Sequence, residues 1–82
     1  MATIELSAAS DWQLFENIAR ILEESLGGYW KEKLDAMDQR YWDLVVGEQV
    51  ITLHLEHYLG ISVCVPDSAT ETAQQIRALL KP

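Results

Sequence analysis

Residues 41–65 of this chain read YWDLVVGEQVITLHLEHYLGISVCV. Three runs rich in β-branched and aromatic residues follow one another here, and a glycine lies at each break between them. This pattern predicts three consecutive strands that are joined by two short turns. Because sequential hairpins pair neighbouring strands, we expect the three to form one antiparallel sheet.

The first turn predicts the register of the first hairpin. Gly47-Glu48 suits a two-residue loop that begins with glycine, and such a loop pairs Val46 with Gln49. The apolar side chains of both strands then fall on one face of the sheet, as expected for a well-specified register. With the third strand included, we expect this covered face to carry Trp42, Leu44, Ile51, Leu53, Leu55 and Val63.

The second turn is expected to be a three-residue loop at 58–60, which ends on a glycine in the left-handed conformation. This loop places Leu55 opposite Val63 in the register of the second hairpin. On the other face of the sheet it places His54 opposite Cys64.

An amphipathic helix is expected on each side of this stretch. Apolar side chains recur at helical spacing over 11–26, where Gly27-Gly28 ends the pattern, and again over 69–81. Two sequence pairs resemble capping boxes, in which a serine side chain accepts a backbone hydrogen bond at the start of a helix. These pairs are Ser10 with Gln13, and Ser68 with Glu71.

Two further segments complete the expected fold. Residues 3–6 are short and partly β-branched, which favours a strand. Residues 29–34 fit either a strand or a short helix. We favour a strand, because the preceding helix has just ended, and residues 35–38 then form a turn.

The resulting order is β-α-β-β-β-β-α, within a single small domain at 1–82. Both helices have one apolar face to bury, and the sheet has one strongly apolar face. The simplest arrangement is an α+β two-layer sandwich, an antiparallel sheet with two helices on one face.

Composition excludes some classes of partner. Thirteen acidic residues oppose six basic ones, so the net charge is −7 and a nucleic-acid backbone or an anionic membrane would be repelled. The one cysteine precludes an intrachain disulfide. The sequence has neither a signal peptide pattern nor an apolar run of membrane-spanning length, so we expect a cytoplasmic protein.

Alternation along the strands predicts a second set of residues on the face that the helices leave uncovered. This mixed surface is half apolar and lightly charged at its centre, which is typical of a surface that packs on another protein. The candidate interaction face consists of Tyr41, Asp43, Val45, Val50, Thr52, His54, Glu56 and Cys64.

A catalytic, ligand-binding or metal-binding role for this face is the less favoured interpretation. An imidazole beside a thiol can generate a nucleophile, so His54 and Cys64 together suggest an enzyme or a small ligand binder. Both lie in mid-strand, however, where no helix N-terminus supplies an oxyanion hole. His54, Glu56 and Cys64 also fall short of the four ligands usual in a structural zinc site. We expect no catalytic residues, no metal and no cofactor.

The function expected from these features is a non-enzymatic, small acidic module for protein binding or regulation. One form of it is an acidic inhibitor of a basic enzyme, which would use Glu23, Glu24, Glu32, Asp35 and Asp38. The alternative is a structural subunit that forms a homodimer through the uncovered face or a sheet edge. The expected partner is accordingly another protein or a second copy.

Overall fold

The computed structural model describes residues 2–80. Its element order confirms the β-α-β-β-β-β-α prediction, including the strand that was expected at 29–34. The elements are β1 (Ala2–Ser7), α1 (Trp12–Leu26), β2 (Tyr29–Asp35), β3 (Gln39–Val46), β4 (Gln49–Glu56), β5 (Gly60–Val65) and α2 (Thr70–Leu79).

The five strands form one antiparallel sheet in the order β1-β5-β4-β3-β2. Both helices pack on the same face of this sheet, which confirms the two-layer sandwich. The layers share a core of buried side chains, formed by Ile4, Phe15, Ile18, Ala19, Leu22, Trp42, Leu44, Ile51, Leu53, Leu55, Ile61, Val63, Val65, Ala73 and Ile76. Neither helix within residues 2–80 is long and apolar enough to cross a membrane.

The first hairpin has the predicted register. Val46 pairs with Gln49, and Leu44 with Ile51, across a turn in which Gly47 has a φ of 61°. Glycine reaches this left-handed conformation without the steric cost that a Cβ brings. Turn chemistry and apolar alternation therefore act together here, and a one-residue slip would expose the core face of both strands.

The second hairpin differs from the prediction by two residues. Its loop is residues 57–59, and β5 begins at Gly60, which pairs with Glu56. Leu55 therefore lies opposite Ile61 rather than opposite Val63. The same shift places His54 opposite Ser62, so the predicted pairing of His54 with Cys64 is wrong.

Neighbouring segments explain this shift. The Ser10 hydroxyl shares its one proton between the carbonyl oxygens of Glu56 and His57. The His57 amide donates to the Asp38 carbonyl at 3.0 Å. Gly60 lies so close to β1 that a Cβ would overlap the Ser7 carbonyl oxygen. These contacts join residues distant in the sequence, so turn preferences alone do not reveal them.

The capping prediction for α1 is also wrong, and the reason is the same use of Ser10. Since that hydroxyl is engaged at the second hairpin, Asp11 caps the helix instead. Its Oδ1 accepts hydrogen bonds from the amides of Gln13 and Leu14 at 2.9 and 3.1 Å. At the other end Gly27, with a φ of 73°, terminates the helix as predicted.

The second predicted capping box is likewise not formed. Helix α2 has Ala69 at its N-cap, with no side-chain hydrogen bond to the first turn. The Pro66 carbonyl accepts from the Ala69 amide at 2.9 Å, and with this turn the N-cap lies one residue beyond Ser68. Glu71 still lies in the first turn, where a negative charge suits the helix dipole.

Because Asp11 caps its helix and Ser68 does not, removing the two side chains is expected to change stability by different amounts. Asp11→Ala is expected to lower the free energy of unfolding by about 1 kcal/mol, because two helix amides lose their acceptor. Ser68→Ala is expected to change it by less than about 0.5 kcal/mol. Urea denaturation of both variants measures the difference, and a larger loss for Ser68→Ala would contradict this account of the caps.

Candidate functional site

The face of the sheet opposite the helices has no second layer among the residues that the structure describes. We call it the open face. Its register-paired side chains come from all five strands, and they are Thr3, Glu5, Tyr29, Glu32, Leu34, Gln39, Tyr41, Asp43, Val45, Val50, Thr52, His54, Glu56, Ser62 and Cys64. Strand alternation thus places all eight candidate residues on one surface. Seven of them lie in three rows that run across the strands, and Glu56 lies beyond the third row, where it pairs with Gln39.

The first row is apolar. Tyr29 pairs with Val45, and Val45 pairs with Val50. Tyr29 is 63% exposed and Val50 is 43% exposed. A continuous apolar strip therefore crosses β2, β3 and β4 in contact with solvent.

The middle row is polar, and its acidic end lies over β2 and β3. Glu32 pairs with Asp43, which accepts a hydrogen bond from the Thr52 hydroxyl at 2.7 Å. Neither carboxylate forms an ion pair within residues 2–80. At the other end of the row, the Cys64 sulfur lies 3.6 Å from the Thr3 hydroxyl.

The third row contains an aromatic stack. The rings of Tyr41 and His54 lie 4.1 Å apart at their centroids, with 14° between their planes. Leu34 pairs with Tyr41 on the edge strand and is 63% exposed. The row therefore combines an ordered aromatic pair with an exposed aliphatic side chain.

The buried nitrogen of His54 is the least satisfied polar atom of this face. Its Nε2 has no hydrogen-bond partner in the part of the chain that the structure describes. Glu56 Oε2 lies 3.9 Å away, which is too far for a hydrogen bond. Residues 2–80 contain no cluster of three or more side chains that suit a metal ion.

The shifted register weakens the nucleophile hypothesis for His54 and Cys64. The two residues are diagonal neighbours rather than a directly opposed pair, and diagonal positions are about 7–8 Å apart. The Thr3 hydroxyl is the group that contacts the thiol. The geometry therefore lacks the direct imidazole–thiol contact that activation requires.

A reactivity measurement tests this interpretation. We expect iodoacetamide to alkylate Cys64 in the folded protein at pH 7 no faster than in the urea-unfolded protein. The reason is that folding brings no base into contact with the thiol and leaves the side chain partly buried. Faster alkylation in the folded state, abolished by His54→Gln, would restore the nucleophile hypothesis.

Sequence reasoning missed a charged cluster on the helix side of the sheet. The Arg40 side chain is only 6% exposed, and its Nε and Nη2 donate to the two carboxylate oxygens of Asp35 at 3.0 and 3.2 Å. A third bond joins Nη1 to Glu16 on α1 at 3.3 Å. The alternation of β3 contained the signal, since Arg40 falls on the same face as Trp42 and Leu44.

Aromatic rings surround this arginine. The guanidinium carbon lies 4.6, 4.8 and 4.5 Å from the ring centroids of Trp12, Phe15 and Trp42. The Trp42 indole also donates to Asp35 at 2.8 Å. A planar cation suits aromatic faces, so Arg40 connects α1 to β2 and β3.

The cluster changes the acid-base properties of its members. The hydrogen bonds from Arg40 lower the pKa of the Asp35 carboxyl below its ordinary value, against a smaller opposing effect of burial. Burial lowers the pKa of Arg40, but the bonds and charges of Asp35 and Glu16 outweigh it and raise the pKa overall. Both groups therefore stay charged at neutral pH and serve a structural role.

The five acids expected for an inhibitor surface do not share one surface. Glu23 and Glu24 lie on α1, whereas Glu32 lies on the open face. Asp35 already accepts two hydrogen bonds from Arg40, which neutralises its charge locally. Binding of a basic partner through acidic side chains must therefore use fewer carboxylates, which lie close together on one surface.

Comparisons with known proteins identify the chain at the level of its family. No curated protein and no solved structure matches the sequence. A family model described as "Protein of unknown function (DUF3630)" matches residues 1–81, which is nearly the whole sequence. The chain therefore belongs to the DUF3630 family.

Proposed function

We propose that this chain is a non-enzymatic acidic module that binds another protein through its open face. The partner in this proposal is a protein with a basic surface, because the chain carries a net charge of −7. The module acts by occupying or positioning that partner. It performs no reaction of its own.

One observation carries the proposal. The open face exposes large apolar side chains without a covering layer in residues 2–80, chiefly Tyr29, Leu34, Tyr41 and Val50. Exposed apolar patches of this kind typically mark interaction surfaces on small soluble domains. Tyrosine is especially favourable there, because a large rigid ring combines with a polar hydroxyl.

A homodimer is the second candidate, because a copy of the chain could also cover the apolar rows. The charges of the face favour a different partner. Glu5, Glu32, Asp43 and Glu56 lie on it, and none of its register-paired residues is Lys or Arg; Lys31 lies in the bulge of β2 and has no register partner. Two copies would therefore bring like charges together, which costs free energy in a partly desolvated interface.

The sheet edges are also poor sites for self-association. Edge strand β2 has a bulge between Trp30 and Glu32, and edge strand β1 has one between Glu5 and Ser7. Bulges interrupt the row of backbone groups that an added strand would pair with. Light scattering after size exclusion should accordingly give the mass of a monomer.

A matched pair of variants tests the proposed function. Val50→Lys places a charge in the apolar row of the open face, and Ile21→Lys places one at a similarly exposed apolar position on α1. Affinity capture from the cells that produce the protein, at low salt, should recover a partner with wild type and with Ile21→Lys. Val50→Lys should lose it.

Two results would count against the proposal. One is equal recovery with both variants, which would place binding elsewhere on the surface. The other is a stable dimer in light scattering that Val50→Lys dissociates, which would favour the homodimer.

A further inference from the structure

We propose that the open face receives an amphipathic helix of its partner, with an arginine or lysine one turn away from an apolar residue on each side. This inference rests on the proposed function and specifies the partner's recognition element. The helix lies over β2 and β3, where the apolar, acidic and aromatic rows are most exposed. The spacing of the rows and their charge favour this element, and the size of the face limits its affinity.

Row spacing matches the rise of an α-helix. Neighbouring rows are two residues apart along β3, as Val45, Asp43 and Tyr41 show, and this corresponds to about 6.6 Å. Four residues of an α-helix rise about 6 Å. A helix aligned with these strands therefore places positions i, i+4 and i+8 over the three rows in turn.

The middle row selects a cation for position i+4. Glu32 and Asp43 are directly paired, and no basic residue within 2–80 forms an ion pair with either. The hydrogen bond from Thr52 orients the Asp43 carboxylate. Two adjacent carboxylates of this kind favour a guanidinium, which can donate to both in a planar, bidentate manner.

The outer rows select apolar residues for positions i and i+8. Tyr29 and Val45 meet the first of these positions, and Leu34 and Tyr41 meet the last. Tyr29 and Leu34 are each 63% exposed, so a covering helix removes substantial apolar surface from water. The stack of Tyr41 on His54 holds one of these contacts in place before binding.

The size of the face predicts a weak complex. Five strands span about 24 Å, and the three rows with their flanks span about 20 Å, so the whole face measures roughly 500 Å². This area is an upper limit for a helix that lies over β2 and β3. Stable complexes usually bury about 800 Å² on each partner. We therefore expect a dissociation constant in the range of about 1–100 μM for an isolated helix.

Titration of the ¹⁵N-labelled protein with a synthetic helical peptide tests the inference. The peptide carries Leu, Arg and Leu at i, i+4 and i+8 in an alanine and glutamine background. Saturable shifts are expected at the amides of residues 32, 43 and 45. The double variant with Glu32→Gln and Asp43→Asn should weaken binding by about tenfold or more.

A matched control separates local recognition from overall charge. The double variant with Glu23→Gln and Glu24→Gln changes the net charge equally but acts on α1, so it should weaken binding by less than about twofold. Equal weakening by both double variants would overturn the inference, since it would indicate attraction to net charge alone.

A second peptide, with the arginine replaced by glutamine, distinguishes the inference from the function it rests on. If both peptides bind the open face equally, the inferred cation is wrong while a protein-binding face remains supported. If neither peptide shifts open-face residues at millimolar concentration, or if both bind elsewhere, the inference and the proposed face both fail. Selective binding of the arginine peptide to the open face supports both.

Discussion

Gly60→Ala is expected to destabilise the fold by about 3 kcal/mol or more. Gly60 has a φ of 91°, a conformation that costs a residue with a Cβ about 1–2 kcal/mol. The new methyl group would also overlap the Ser7 carbonyl oxygen and the backbone of Ala8, so β1 must move away from β5. Overpacking of this kind typically adds about 1–3 kcal/mol.

Gly47→Ala is the matched control for this prediction. Gly47, in the turn of the first hairpin, likewise has a positive φ, of 61°, but a Cβ there meets no atom within 4 Å. Only the conformational cost remains, so we expect a loss of about 1 kcal/mol. Urea denaturation of both variants gives the comparison, and equal losses would show that the approach of β1 to Gly60 has no energetic weight.

Arg40→Ala is expected to lower the free energy of unfolding by about 3 kcal/mol. The change removes the guanidinium that lies over the rings of Trp12, Phe15 and Trp42, together with its bidentate bond to Asp35. Loss of one partner from a buried ion pair usually costs about 3–5 kcal/mol. We expect the lower end of that range, because Asp35 and Glu16 are about half exposed and remain hydrated.

Arg40→Met separates packing from charge at the same position. The methionine retains much of the apolar stem, so we expect it to be about 1–2 kcal/mol more stable than Arg40→Ala. Thermal and urea denaturation of the two variants measure this difference. A methionine variant no more stable than the alanine variant would show that the ion pair, rather than packing, accounts for the loss.

Acid titration gives an independent check on the same cluster. Arg40 lowers the pKa of Asp35 below its ordinary value of 3.8, so the folded state releases this proton more readily than the unfolded state. Asp35 therefore adds stability above about pH 4, and that contribution is lost as the pH falls through the lowered pKa. The stability gap between wild type and Arg40→Met should accordingly narrow below pH 4.

Much of the fold was predictable from local pattern. The alternation of β3 and β4 and the turn at Gly47 are properties of adjacent residues, and they led to the correct register of the first hairpin. The helical spacing of Phe15, Ile18 and Leu22 likewise indicated which side of α1 is buried. These predictions succeeded because local conformation and burial favour the same structure.

The candidate face was predictable to the extent that it depends on alternation within strands. Residues from Tyr41 to Cys64 were placed on the correct side of the sheet, even though the second hairpin was shifted, because a shift by two residues preserves the face. Tyr29 and Leu34 of edge strand β2 could not be placed on this face without knowing how β2 pairs with β3. That pairing includes a bulge that the sequence does not signal.

By itself, the sequence determined the order of elements, the sandwich and the sides that the strands bury, since these depend on short-range periodicity. Tertiary structure alone decided where the second hairpin turns, because Ser10 and Ser7 contact it from a distant segment. Tertiary structure also decided which charged side chains form ion pairs. Asp35 is held by Arg40, while Glu32 and Asp43 face outwards together, because electrostatic pairing depends on distance in space rather than along the chain.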